Sequence, residues 1–250
     1  MNRSLAVVIL AAGKGKRMKS DLPKVMLPVG GVPSLHHPLE AARALDPERI
    51  ATVVGYKAEV VREAFAGKGI EFVTQEEQLG TGHAVQVTED VFADFNGVLL
   101  VLYGDGPLIR KETLARLLAT HAEQGNDATL LTCRKPDPSD YGRIVRDGKG
   151  GFRAIVEERD CDEETRRIDE VYTGIAVYPA PGIFECLSRI GNNNAQGEYY
   201  LTDVPGILLA DGGRVGTELH DDPDEIEGFN SRDQYDAICR TFESRHGTER

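Results

Sequence analysis

The sequence predicts a doubly wound α/β sheet, and three observations carry that expectation. Short apolar runs alternate with amphipathic helical segments through the first half of the chain. Several runs are apolar on both faces, as buried parallel strands are. Glycine-bearing turns follow three of them, at the strand ends where open α/β sheets bind ligands.

In chain order, residues 5–10, 50–54, 70–74, 98–103 and 128–133 read as strands, and residues 35–45, 58–65, 81–92 and 111–124 as helices. The last helix places Leu114, Leu117, Leu118 and His121 at i, i+3, i+4 and i+7, one core-facing stripe. The second half is less regular, with β segments at 143–146, 152–157, 171–178 and 214–219 and a polar insert at 192–198. These are expected to extend the sheet and build a second cleft wall without forming an independent domain. A final helix spans about 231–244, leaving a short charged tail.

Composition narrows the function classes. The chain of 250 residues, 40% hydrophobic and 28% charged, has no apolar run approaching a membrane span. Its apolar start runs into lysines instead of a small-residue cleavage site, so it reads as the first core strand of a cytoplasmic protein. Cys133, Cys161, Cys186 and Cys239 are too scattered for a zinc or redox motif and are expected as reduced thiols. A formal net charge of −12 argues against nucleic acid as a partner. Against that background, Lys14, Lys16, Arg17, Lys19 and Lys24 form a basic segment with only Asp21 opposing them, suited to a small polyanion or to a solvated loop.

Three strand-end motifs carry chemistry. In LAAGKGKRM, Gly13 and Gly15 let the backbone curl around phosphate oxygens, while Lys16 and Arg17 add neutralising charge. In YGDGPL, Tyr103, Gly104 and Asp105 end an apolar strand, so that Asp105 reads either as a Mg²⁺ ligand or as a turn aspartate. In QEEQLGTGHA, Gly80 and Thr81 open a helix, with Thr81 a possible cap, and Gln75 and Gln78 offer amides to a base edge. No histidine lies near a serine or cysteine in a nucleophile motif, which leaves covalent catalysis poorly supported. A reaction whose attacking group is already an anion, one phosphate attacking another, needs only positioning and charge neutralisation.

Seven ordered segments then carry a resemblance: LAAGKGKRMKSDLPKVMLPVGG, QEEQLGTGHA, YGDGPLI, YGRIVRD, IVEERD, NNNAQGEYYLTD and GFNSRDQ. Over residues 5–235 the chain resembles bacterial sugar-1-phosphate nucleotidyltransferases, in particular the N-terminal uridylyltransferase domains of bifunctional N-acetylglucosamine-1-phosphate enzymes. The resemblance implies a Rossmann-like nucleotidyltransferase fold using Mg²⁺ as cofactor, with UTP and a sugar 1-phosphate as small-molecule substrates. Chain length and organisation favour one domain over 1–250, with a nucleotide-binding half to about 140, a sugar-binding half to about 230, and then a helix and tail.

On the resemblance, Leu10, Ala11, Ala12, Gly13, Gly15, Gln75, Gln78, Gly80, Thr81, Tyr103 and Gly104 would form the nucleotide site. Arg17, Lys24 and Asp105 would be catalytic, and Asp105 with Asn230 would hold the metal. Gly142, Glu157, Tyr172, Thr173 and Gly174 would take the sugar.

Two residues depart from the family. Lys16 replaces a usual threonine and keeps the loop positive; Tyr172 replaces a sugar-site asparagine and puts the sugar's identity in question, unless it faces the core. Only 20 residues follow Asn230, so the left-handed β-helix of the bifunctional relatives is not expected here. The expected activity is uridylyl transfer from UTP to N-acetylglucosamine 1-phosphate. Its alternatives are the same chemistry on glucose 1-phosphate or with dTTP, and a catalytically silent sugar-nucleotide-binding regulatory protein.

Overall fold

The computed structural model describes residues 4–18 and 20–247; Lys19 of the basic segment and the side chain of Lys16 lie outside the described residues. Strand β1 (Leu5–Ala11) is followed by a short hairpin, β2 (Pro28–Val29) and β3 (Val32–Pro33), and by helix α1 (His36–Arg43). Next come β4 (Arg49–Val54), α2 (Ala58–Ala64), β5 (Glu71–Thr74), α3 (Thr81–Gln86), α4 (Glu89–Phe92), β6 (Gly97–Tyr103) and α5 (Lys111–Gln124). The second half adds β7 (Ala128–Arg134), β8 (Gly142–Arg146), β9 (Phe152–Val156), β10 (Glu170–Ala180), α6 (Gly182–Leu187), α7 (Val204–Ala210), β11 (Val215–His220) and α8 (Arg232–His246).

One nine-stranded sheet organises these elements, with the path β11-β7-β10-β6-β1-β4-β5 and the β8–β9 ribbon branching from β10. Along β1, Ala6, Val8 and Leu10 enter one core layer while Val7, Ile9 and Ala11 enter the other. A strand buried on both faces reads as an unbroken apolar run, which is why β1 was legible. Among the described residues no helix is long and apolar enough to cross a membrane.

Three details differ from the sequence reading. The single helix expected over 81–92 is two, because Thr88 is fully buried between them and its hydroxyl donates to the Val85 carbonyl at 2.7 Å. The β segment around 171–178 joins the sheet as expected, but not by adding to an edge. Instead β10 inserts between β6 and β7, antiparallel to both. Thr81 does not cap α3; Gly80 holds the cap position, and the Thr81 hydroxyl accepts from the Leu201 N–H at 3.1 Å.

The reversed strand has a consequence for function. Because β10 runs against its neighbours, its amino-terminal residues lie at the same end of the sheet as the carboxyl ends of β1 and β6. Its register against β7 shifts between Tyr172 and Ala176, with Gly174 at φ +84° inside the irregularity. A Cβ on Gly174 would lie 2.1 Å from the Tyr103 ring, so the glycine is what lets that ring lie against the bulge. Gly174→Ala therefore combines left-handed strain with overpacking, and should cost about 3 kcal/mol in urea unfolding. Gly148→Ala, at a position with nothing within 4 Å, should stay within about 0.5 kcal/mol of the parent.

Candidate active site

At that end of the sheet lies a cavity of about 440 Å³. One side is built by Leu10, Ala11, Ala12 and Gly13 at the end of β1, and by Gln75, Gln78, Gly80 and Thr81 between β5 and α3. Gly142, Glu157, Tyr172, Thr173 and Gly174 form the opposite side, with Tyr103 and Asp105 from the end of β6, Lys24, and Asn230 completing the wall. Residues separated by up to 220 positions thus meet because the carboxyl ends of parallel β1 and β6 and the amino end of the reversed β10 lie at one edge of the sheet.

At the cavity wall three groups interlock. The Lys24 ammonium forms an ion pair with Asp105 and donates to Asn230 Oδ1 at 2.8 Å. Both partners of the ion pair are 13% exposed, so the charges are largely withdrawn from water and each depends on the other. Lys24 is aimed by its surroundings. Pro23 precedes it at φ −52°, Gly15 at φ +55° would place a Cβ 3.0 Å from the Lys24 stem, and the ammonium lies 5.7 Å from the Phe229 ring centroid. Asn230 is aimed by helix α8: the Gln234 carboxamide oxygen accepts from the N–H groups of Asn230 at 2.7 Å and Ser231 at 3.1 Å, within a capping box.

The structure does not bring every expected residue to the cavity surface. Gly15 supports Lys24 from behind, and Gly104 packs beneath the site, where a Cβ would meet Leu35, Val25 and Ala11 at 3.0–3.3 Å. Arg17 is exposed on a short 3₁₀ turn at the rim, 3.9 Å from the Asp140 carboxylate. Gln75 does line the cavity, but it is buried, and its amide nitrogen reaches the Gly80 carbonyl and His83 Nδ1, both at 3.1 Å, so it also shapes the turn that opens α3.

The far wall is a carboxylate in a dry setting. Glu157 accepts from the Thr202 hydroxyl at 2.8 Å. Burial pushes its carboxyl above the ordinary range, the hydrogen bond from Thr202 opposes this, and the nearby Asp160, Asp203 and Glu198 carboxylates reinforce it. Tyr172 answers both readings of the sequence, because it lines the cavity while packing into the core at 5% exposure. Its phenol is buried beside that of Tyr178, and burial holds its pKa well above the usual tyrosine value. Burial likewise raises Tyr103, next to the Glu157 and Asp105 charges, while a hydrogen bond with Thr81 pulls the other way.

Several lining residues were not singled out from the sequence: Asp140, Tyr141, Glu198, Thr202, Glu225 and Ile226. Glu198 and Thr202 lie within the quoted NNNAQGEYYLTD segment, and Tyr141 opens YGRIVRD, so the signal was present without an atom to attach it to. Glu225 had no sequence signal. It is fully buried, paired with Arg110 and bonded to His220 Nε2 at 3.1 Å, while His220 Nδ1 meets Arg116 at 2.8 Å. His220, Asp222 and Glu225 bring ligand-type atoms within 4.8 Å of one another, yet Arg110 and Arg245 already neutralise that cluster.

The MobA-like NTP transferase domain family matches residues 7–161. The chain is 50% identical over 245 residues to the bifunctional protein GlmU of Pseudomonas entomophila, covering 98% of this chain and 53% of that protein. It is 48% identical over 226 residues to the bifunctional protein GlmU of Lactobacillus delbrueckii subsp. bulgaricus, covering 90% of this chain and 49% of the relative. The chain therefore spans about half the length of these curated relatives. In fold it is similar to a UDP-glucose pyrophosphorylase crystallised with UDP-glucose, at a TM-score of 0.77 and 19% identity, covering 98% of this chain and all of the other.

The Glu225 network has a pH signature. Burial acts to raise this carboxyl, but hydrogen bonds from His220, Thr113 and Arg110 outweigh it and hold the pKa down at about 2, against an ordinary 4.5. A carboxyl depressed on folding stabilises the protein above its unfolded pKa and loses that contribution as pH falls through its folded pKa. Unfolding free energy should thus fall as pH drops from about 4.5 toward 2. Glu225→Gln should be less stable near neutrality and show a flatter acid limb in denaturant titrations over that window.

Proposed function

The chain belongs to the MobA-like NTP transferase domain family, and on that premise we propose that it is a Mg²⁺-dependent sugar-1-phosphate nucleotidyltransferase. The proposed reaction transfers uridylyl from UTP to N-acetylglucosamine 1-phosphate and releases pyrophosphate. The observation that carries this reading is the Lys24 ammonium seated between the Asp105 carboxylate and the Asn230 carbonyl oxygen. A cation already occupies the meeting point of two hard oxygen donors, which is donor chemistry suited to Mg²⁺. Asp105 and Asn230 are therefore the proposed metal ligands. The ion would neutralise charge on the triphosphate and on the departing pyrophosphate.

The remaining steps belong to the chain. A phosphate oxygen of the sugar phosphate attacks the α-phosphorus in line; the new O–P bond forms as the bond to the β-phosphate bridging oxygen breaks, and the pair leaves on pyrophosphate. The nucleophile is already an anion, so no side chain need take a proton. Lys24, released from Asp105, neutralises phosphate charge, and Arg17 does so from the rim. Gly13 lets the backbone approach the phosphates, and Gly15 leaves room behind them for the Lys24 stem. Gln75, Gln78, Gly80 and Thr81 face the base on this reading, with Leu10, Ala11, Ala12 and Tyr103 beside it, while Glu157, Gly142, Thr173 and Gly174 face the sugar. The Glu157 carboxylate accepts from sugar hydroxyls, and desolvation makes such bonds stronger than they would be in water.

The choice of uridine and N-acetylglucosamine rests on the seven motifs of the sequence and on the likeness to the GlmU proteins. Tyr172 favours a second reading, the same chemistry on another sugar 1-phosphate such as glucose 1-phosphate, because a buried phenol replaces an amide at that wall. Pyrophosphate release measured with UTP or dTTP and a panel of sugar 1-phosphates separates the two readings. The account expects UTP with N-acetylglucosamine 1-phosphate to be the fastest pair, and release from no pair would overturn it. Asp105→Asn should lower turnover about a thousandfold or more while leaving the fold intact. Tyr172→Asn should move the preference among sugars; an unmoved preference removes Tyr172 as its determinant.

A further inference from the structure

Behind the wall formed by Tyr141, outside the proposed reaction path, two side chains converge on one carboxylate. Lys135, the residue after β7, pairs its ammonium with Glu227 Oε1. The Tyr141 hydroxyl donates to Glu227 Oε2 at 2.9 Å, and the same ammonium lies 5.0 Å from the centroid of the Tyr141 ring. Lys135 is 11% exposed and Glu227 28%, so this is a largely desolvated cluster whose members leave costly unpaired groups if separated. Burial and the Glu227 charge both push the Tyr141 phenol up, which keeps it a hydrogen-bond donor.

The two segments so joined serve different parts of the cavity. Tyr141 precedes Gly142, which pairs with Tyr172 across the β8–β10 ladder and lies beside Glu157, 3.7 Å from where its own Cβ would stand. Glu227 precedes Gly228, whose Cβ would stand 3.3 Å from Asp105 Oδ2, and lies three residues before Asn230. A second cavity of about 340 Å³ lies between the segments, lined by Lys135, Tyr141, Glu227 and Gly228 among others. Beside the apolar cluster that holds Ile226 and takes up Tyr141, the polar clamp ties the two segments across that space.

We propose that Glu227 is a positioning residue that ties the sugar-phosphate wall to the cation seat, holding Tyr141 and Lys135 through its two carboxylate oxygens and Asn230 through its backbone. The inference rests on the function proposed above, because it takes Asp105 and Asn230 as the cation ligands and Gly142 with Glu157 as the sugar wall. Its distinguishing consequence is selective. Removing the Tyr141 hydroxyl, which touches neither Asp105 nor Asn230, must weaken the cation seat, while the nucleotide side, carried by the ends of β1 and β5, stays as it was.

The test uses Tyr141→Phe and Glu227→Gln, with folding verified by thermal melts. Mn²⁺ binding to the protein saturated with a non-reacting UTP analogue is measured by electron paramagnetic resonance, and N-acetylglucosamine 1-phosphate and metal-free UMP binding by calorimetry. Both variants should bind Mn²⁺ and the sugar phosphate about tenfold more weakly, in line with the effect of residues that orient metal ligands. UMP affinity should change less than about twofold. Unchanged Mn²⁺ affinity in Tyr141→Phe overturns the proposal, as does a loss of UMP affinity in step with the others, which would mark general loosening. Asp105→Asn separates the two levels of inference: if it leaves Mn²⁺ binding intact, the cation seat itself is wrong and the clamp proposal falls with it.

Discussion

The ion pair between Lys24 and Asp105, closed by Asn230, is the interaction on which the rest of the site depends. Each member comes from a different part of the chain: the loop after β1, the end of β6, and the approach to α8. A carboxylate so withdrawn from water needs a cation beside it, and the fold supplies one from its own sequence. Gly15 leaves room for the Lys24 stem, the Phe229 ring lies by its ammonium, and the Gln234 side chain holds Asn230. Phe229 in turn belongs to a third apolar cluster with Met18, Leu27, Val29, Leu108, Tyr235 and Ile238, so helix α8 is packed against the same loop that delivers the lysine. The Tyr235 hydroxyl completes that anchor at the Pro28 carbonyl, 2.5 Å away.

The second constraint is the antiparallel strand in an otherwise parallel core. A wholly parallel sheet would leave a crevice open beyond β6. With β10 reversed, the Tyr172–Gly174 bulge and the β8–β9 ribbon close that crevice on its far side. Tyr103 stands at the junction, its ring against Gly174 and its hydroxyl by Thr81, so it touches both sides of the cavity. Bringing a phosphate nucleophile and a triphosphate together in one desolvated space is the kind of positioning on which phosphoryl-group chemistry depends.

How much of this was legible in the sequence depends on how locally each feature is encoded. The two-faced apolar runs that became β1, β4, β6 and β7, and the helical stripe of α5, are properties of consecutive residues. The insertion of β10 between β6 and β7 was not legible, because pairing partners are set by tertiary packing and not by the strand's own pattern. Nor was the break at Thr88, where a buried hydroxyl competes for a helix carbonyl. The motifs gave most of the cavity lining in advance. What they could not give is orientation: Gly15 and Gly104 support the site from behind, and Arg17 stands at the rim, although all three lie inside the quoted motifs. Glu225 and the Lys135–Glu227–Tyr141 clamp are long-range pairings with no local pattern to announce them.

The central claim is that the Lys24 ammonium holds a place meant for a divalent cation and yields it when the triphosphate arrives. Anomalous diffraction from crystals grown with Mn²⁺, a non-reacting UTP analogue and N-acetylglucosamine 1-phosphate tests this most directly. The account predicts a single Mn²⁺ peak in contact with Asp105 and Asn230, with the Lys24 side chain moved onto the phosphates. A Lys24–Asp105 pair left intact, with the metal bound elsewhere, would contradict it.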